Sequence, residues 1–397
     1  MKKKILGLII IILAAVCMTY AAAIPARPYD GITLEEFFKA KSDPDIEKIL
    51  SKMSLEEKTG QLFMGCFYNG TPSASAVSRY HLGSVLLFGS SFEKTNRISV
   101  SAQLDKLADI TYPPIIAVDE EGGSVTRVSG NPGFRKAPFK SPRALYKKGG
   151  MDAVISDTHE KNALLSSVGI HLNLAPVCDI SQDPDDFMYS RSLGQNSQIT
   201  SEYAAEVTKA CLSDGIACAL KHFPGYGAST DTHKGLAIDR RSLNIIKSND
   251  LKPFEAGIQA GAPMVLVSHN IVTAIDSKMP SSLSPSCHRL LVQNMDFDGI
   301  IVTDDLSMGA VSMYMSPEKS ALTAIMAGND MLCTGNYKKQ YEAVLKAVND
   351  GIISEERINH SVRKILKLKI ELGLIVPEPD DISSSGITIN TEEMNVK

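Results

Sequence analysis

Eight short apolar runs along one chain, most of them followed by a helical pattern, predict an α/β fold: a single-domain (β/α)8 barrel of the TIM type. Two further observations point the same way. The runs Ile115–Val118 and Ile300–Val302 lack polar–apolar alternation, as strands buried on both faces do. Polar residues also stand at or just beyond the ends of the later runs: Asp119, Asp179, Lys221 with His222, His269 and Asp304. In a parallel barrel these ends open on one mouth. Charges merely marking where strands meet solvent would explain any one of them well and the set poorly.

The elements follow in order. Lys2, Lys3 and Lys4 precede the apolar run Ile5–Val16, and Ala21-Ala22-Ala23 offers a small-residue cleavage site, so residues 1–23 read as an export signal. An uncleaved anchor is the alternative, because residues 5–23 nearly span a bilayer. Cys17 as a lipid-bearing residue ranks lower, since Val16 stands where that pattern wants a small residue. Residues 24–49 are a polar lead-in with Pro25 and Pro28. The first helix signal is the capping box Ser54-Leu55-Glu56-Glu57. The strand candidates are Leu62–Phe67, Ser84–Phe88, Ile115–Asp119, His171–Ala175, Ile216–His222, Met264–His269, Gly299–Asp304 and Met331–Cys333. Ser284-Pro285 and Ser316-Pro317 each put a cap residue before Pro at the first helical position. Ser354 caps a last helix with Ile358, Val362, Ile365 and Leu366 on one face, and Gly373 stops it. The barrel is therefore placed at 50–375. Residues 376–397, with Pro377, Pro379 and the serines 383–385, are expected to be a disordered polar tail.

Composition excludes some functions. Of 397 residues, 44% are hydrophobic and 22% charged, and the net charge of −4 becomes −7 if the three N-terminal lysines leave with the signal. No basic stripe remains to bind nucleic acid. Cys66, Cys178, Cys211, Cys218, Cys287 and Cys333 are scattered and read as buried free thiols. Neither a Cys-x-x-Cys nor a His-Glu-x-x-His pattern occurs, so no metal or cofactor is expected. The chain is expected to be a monomer that meets a membrane only through its N-terminus.

The stretch 215–233 carries the most chemistry. An apolar strand ends in Lys221 and His222, which offer donors at the mouth. Pro224, Gly225 and Gly227 then force an irregular loop, on which Asp231 and His233 stand two apart. In extended chain such residues point the same way, so the carboxylate can orient the imidazole and raise its basicity. Asp-x-His alone would more often be a solvated polar loop. A second string, Thr303-Asp304-Asp305-Leu306, ends a buried strand in two carboxylates. One carboxylate at a barrel mouth can attack an anomeric carbon; physics alone does not choose between the two, and a helix cap is the plainer reading. A third, Asp119-Glu120-Glu121-Gly122-Gly123 with Arg127, pairs an acidic turn with a fork of donors, a combination suited to sugar hydroxyls. Glu120 and Glu121 themselves are read as a solvated turn.

The string Lys221-His222-Phe223-Pro224-Gly225-Tyr226-Gly227 followed by Asp231-Thr232-His233 resembles the signature of family 3 glycoside hydrolases, in the β-N-acetylglucosaminidase branch that works on peptidoglycan fragments. The resemblance covers roughly 50–374. It implies His233 as general acid/base, Asp231 as its partner and Asp304 as nucleophile. It further implies that Asp119, Arg127, Arg191, Lys221 and His222 bind the terminal sugar. Tyr226 departs from the family's frequent His or Asp, Thr232 from its usual Ser, Ser124 from a common Arg and Leu193 from Phe. Asn173 and Asp179 are expected to be structural hydrogen-bonders. His269 is open between lining the site and a satisfied strand end. The expected activity is retaining exo-β-N-acetylglucosaminidase outside the inner membrane, acting on GlcNAc-containing oligosaccharides. A β-glucosidase or β-xylosidase of the same family is the nearer alternative, and a non-catalytic sugar-binding protein the more distant one.

Overall fold

The computed structural model describes residues 43–227, Thr232 and 235–377. Its strands in chain order are β1 (Phe63–Phe67), β2 (Ser84–Leu87), β3 (Ile115–Val118), β4 (Leu172–Asn173), β5 (Ala217–Phe223), β6 (Ile238–Asp239), β7 (Met264–Val267), β8 (Ile271–Val272), β9 (Ile300–Thr303) and β10 (Leu332–Thr334). All but β6 and β8 form one sheet in the order β10-β1-β2-β3-β4-β5-β7-β9, and every neighbouring pair in it is parallel. A parallel bridge between Val302 and Met331 joins its two edges, so the sheet returns on itself as a (β/α)8 barrel. Each of the eight runs found in the sequence overlaps one of these strands. The β6–β8 pair, which the sequence reading missed, is a two-residue ribbon outside the barrel sheet.

The α-helices of five residues or more are α1 (Pro44–Lys52), α2 (Leu55–Gln61), α3 (Ala74–Arg79), α4 (Arg97–Ala108), α5 (Pro142–Ser166), α6 (Ser197–Ser213), α7 (Lys252–Gln259), α8 (Pro285–Arg289), α9 (Pro317–Ala327), α10 (Tyr337–Asn349) and α11 (Glu355–Glu371). The cap signals hold. Ser54 and Glu57 make a reciprocal capping box, and Ser284, Ser316 and Ser354 accept from backbone amides three residues on. Gly373, at φ 70°, takes the left-handed position just beyond α11. Helix α1 begins inside the stretch read as lead-in and runs three residues beyond it. Asp43 caps it and Pro44 opens it, the same device recognised at Ser284-Pro285.

Alternate strand residues divide between two cores. Met64, Cys66, Leu86, Ala117, Ala219 and Val302 belong to the cluster that fills the barrel. Phe63, Val85, Leu87, Ile116 and Val118 belong to the larger cluster between strands and helices. Both faces are thus apolar, which is why the strands show no alternation. Ile365 and Leu368 of α11 join the interior cluster from the N-terminal ends of the strands. Beside them Lys369 is fully buried, donating to Gln61 Oε1 at 2.5 Å. The helix therefore plugs the bottom of the barrel and leaves the opposite end for chemistry. All six cysteines of the described residues are buried and unpaired, and Cys66 and Cys333 bring their Sγ atoms to 3.5 Å inside the barrel.

Candidate active site

The mouth is built from the C-terminal ends of the barrel strands. Asp119 follows β3. Its Oδ1 accepts from Lys221 Nζ at 2.7 Å, and its Oδ2 lies 3.5 Å from Arg127 Nη2. Arg127 Nε is buried and has no hydrogen-bond partner among the described residues.

The two glutamates that follow are not a solvated turn. Glu120 is completely buried and accepts from the backbone N–H groups of Arg127 and Val128 and from the Ser129 hydroxyl. It staples the loop that presents Arg127. Glu121 is 2% exposed and binds two cations at once: Lys221 Nζ at 2.7 Å, and Arg191 through a two-pronged contact of 2.6 and 2.9 Å. Burial opposes its ionisation, but Lys221 and Arg191 override burial and hold the carboxyl well below the usual range. Burial likewise works against the Lys221 ammonium, and Asp119 and Glu121 outweigh it, so its pKa lies above the ordinary value. The turn reading failed because sequence cannot show where a strand-end carboxylate points. A usable signal was present: Asp119 alone could not balance Lys221, Arg127 and Arg191.

Strand β5 supplies Lys221 and His222 across a cis peptide bond. His222 Nε2 lies 3.2 Å from Arg191 Nη2, and its Nδ1 lies 2.7 Å from Asp179 Oδ2. Asp179 Oδ1 accepts from Tyr226 N at 2.8 Å. Asp179 is thus the structural hydrogen-bonder expected, one that sets the His222 ring, as Asn173 is for Glu120: its side-chain amide accepts from the Glu120 N–H at 2.9 Å and donates to the Glu120 carbonyl at 3.1 Å. Asp119, Arg127, Lys221, Glu121, Arg191, His222 and Asp179 form one continuous chain of contacts at the mouth.

Asp304 ends β9 on the same side. Its N–H donates to Val267 O at 2.9 Å, and its Oδ1 accepts from Asp305 N at 2.8 Å. Asp305 is committed otherwise: Oδ1 accepts from Ser307 N at 2.9 Å and Oδ2 from the Tyr68 hydroxyl. Asp305 thus has the bonds of a turn. His269, with one ring nitrogen at 2.7 Å from Ser282 Oγ and the other at 3.0 Å from Asp305 O, is fully buried and is the satisfied strand-end histidine.

Asp231 and His233 lie outside the described residues. Thr232 between them is described and buried. Its hydroxyl bonds Tyr226 Oη, and its carbonyl accepts from Ala310 N at 3.1 Å, six residues past Asp304. The loop that carries them leaves β5 through Gly225 and Gly227, both at positive φ (107° and 57°). A Cβ at Gly227 would sit 2.4 Å from Arg241 Nη2 and would have to displace that side chain, at a φ that favours glycine. Among the described residues no group of His, Cys, Asp or Glu is arranged to hold a metal ion, and no helix is long and apolar enough to cross a membrane.

The profile of the glycosyl hydrolase family 3 N-terminal domain matches residues 54–368. The chain belongs to glycosyl hydrolase family 3. Among family 3 relatives, it is 29% identical over 325 residues to Beta-hexosaminidase A of Pseudoalteromonas piscicida, covering 75% of this chain and 54% of that protein. It is 27% identical over 329 residues to Beta-hexosaminidase LpqI of Mycobacterium tuberculosis, covering 80% of this chain and 83% of the other. A solved family 3 β-N-acetylglucosaminidase from Paenibacillus sp. superposes with a TM-score of 0.75 at 29% identity, covering 86% of this chain and 66% of its own. The chain thus spans about half the length of the Pseudoalteromonas protein and two thirds of the Paenibacillus one.

Proposed function

We propose that this family 3 chain is a retaining exo-β-N-acetylglucosaminidase that removes terminal β-linked GlcNAc, with peptidoglycan fragments or related oligosaccharides as substrates. The observation that carries the reading is the network running from Asp119 through Lys221, Glu121 and Arg191 to His222, set at the same barrel end as Asp304. Fixed cations and carboxylates of this kind bind hydroxyl and acetamido groups directionally. The names of the relatives support the choice of sugar.

In this reading Asp304 attacks the anomeric carbon while the C1–O bond breaks, and His233, oriented by Asp231, gives its proton to the leaving oxygen. Water then attacks the glycosyl–Asp304 ester. His233 takes the water proton, the sugar leaves with the new hydroxyl, and the carboxylate is restored. Asp119, Arg127 and Arg191 hold the sugar, with Lys221 and His222 completing the cradle. No cofactor enters. The N-terminal lysines and apolar run support an exported protein.

A 5-fluoro GlcNAc fluoride, followed by peptic digestion and mass spectrometry, tests the nucleophile: the sugar should be found on Asp304, and a label on Asp305 would reject the assignment. Comparing aryl glycosides of GlcNAc, glucose and xylose tests the sugar, with preference for either of the latter two excluding the reading.

A further inference from the structure

The carboxylate of Asp304 is tied to the residue that follows it. Its Oδ1 accepts from Asp305 N at 2.8 Å, a bond that lasts only while residue 305 keeps its place. Asp305 is held from several elements. Its Oδ1 accepts from Ser307 N at 2.9 Å, and its carbonyl accepts from Met308 N at 2.9 Å and lies 3.0 Å from a His269 ring nitrogen. Its Oδ2 accepts from the Tyr68 hydroxyl, which comes from the far side of β10. Tyr68 follows β1, and β10 lies between β1 and β9 in the closed sheet. The side chain therefore crosses the end of β10. It does so at Gly335, where a Cβ would meet Tyr68 Cε2 at 2.7 Å and Tyr68 Oη at 3.1 Å.

Tyr68 is itself anchored. Its carbonyl accepts from Ser90 Oγ at 2.6 Å, and its ring centre lies 4.7 Å from that of Phe88. Burial foremost pushes its phenol far up, so the hydroxyl keeps its proton and donates. A donor on Asp305 does two things for Asp304. It pins the turn whose N–H holds Asp304 Oδ1, and it draws charge from a carboxylate one residue away from the attacking one. We propose that Tyr68 is a positioning residue: by reaching across β10 to Asp305, it sets the carboxylate of Asp304 for attack. The proposal rests on the reading of Asp304 as nucleophile. Tyr68 is 43% exposed and borders the mouth, so direct contact with the sugar is the competing role, and that role would show in binding instead of turnover.

The test uses Tyr68→Phe, Asp305→Asn, the double variant and Gly335→Ala. Each is assayed for kcat and KM on N,N′-diacetylchitobiose, for the Kd of GlcNAc by calorimetry, and for the rate of inactivation by 5-fluoro GlcNAc fluoride. A misaligned nucleophile should lower kcat in Tyr68→Phe by about three- to tenfold, and the inactivation rate by the same factor. KM and the Kd of GlcNAc should change by less than roughly twofold, because the sugar cradle is untouched. The double variant should lose no more than Asp305→Asn alone, since Tyr68 acts through Asp305. Gly335→Ala, which pushes the ring aside, should reproduce the loss of Tyr68→Phe. An unchanged kcat in Tyr68→Phe, a rise in KM and Kd with kcat kept, or multiplied losses in the double variant would each overturn the proposal. If the fluoro sugar labels Asp305 in the parent enzyme, the nucleophile assignment fails and the positioning role with it. If it labels Asp304 and Tyr68→Phe turns over normally, the positioning role alone fails. Should Tyr68→Phe not fold, Gly335→Ala carries the same comparison.

Discussion

Glu121 shows how much one side chain can hold. Its two oxygens pair with Lys221, which is buried, and with Arg191, which is partly buried. Glu121→Gln would strip Lys221 and Arg191 of the carboxylate that pairs with both, leaving the charges of Asp119 and Asp179 nearby, and breaking such a pair costs about 3–5 kcal/mol. The melting temperature should fall, and KM for GlcNAc glycosides should rise about tenfold or more as the cradle loosens. The pH effect has a definite sign. Because the folded carboxyl is held below its unfolded value, its stabilisation is complete above the ordinary glutamate pKa of 4.5 and drains away as pH falls below it. The variant's stability should therefore depend less on pH in the acid range than the parent's. The adjacent pair at β9 separates differently: Asp304→Asn should cut kcat by about 10⁴-fold. Asp305→Asn keeps an acceptor for Ser307 N and should cost at most about tenfold. At this scale the sequence was legible where a residue type has few uses. It named Asp119, Lys221, His222 and Asp304, and all four stand at the mouth. It lost Glu121, because a run of carboxylates after a strand looks the same whether it turns outward to water or inward to an ammonium.

Helix α11 decides what the bottom of the barrel is made of. Its apolar face was plain in the sequence from the spacing of Ile358, Val362, Ile365 and Leu366, all fully buried. Lys369 was not, because a lysine in a last helical turn usually lies in solvent. Here burial lowers its pKa from 10.5 to about 7. Below pH 7 the ammonium is charged in both folded and unfolded chains and the full cost of burying it is felt. Between pH 7 and 10.5 the folded chain loses the proton first, so stability rises with pH across that window. Lys369→Met should flatten that rise, which chemical denaturation at pH 7, 8 and 9 will show against the parent. Nearby, Ile365→Ala should cost about 2–5 kcal/mol through the cavity it opens. Helix α1 and the β6–β8 ribbon escaped the sequence reading for opposite reasons. The Asp43-Pro44 signal was there and was passed over as part of a proline-containing lead-in. The two-residue strands of the ribbon are too short to carry any period.

At the scale of the whole chain, eight runs sufficed to predict the barrel. What they could not show is how its edges meet, a matter of one bridge between Val302 and Met331. Nor could they show that two interior thiols come within 3.5 Å of each other. The cysteines have a further consequence if the protein works outside the cell's reducing interior. The six sulfhydryls of the described residues are harmless while the fold shields them, yet each excursion to the open chain offers them to dioxygen and to one another. Mispairing then competes with refolding, and the durability of the enzyme is governed by how rarely it opens. Protein melted and cooled under air should regain far less activity than protein treated identically with dithiothreitol, whereas a few hours of air at room temperature should leave the native enzyme intact.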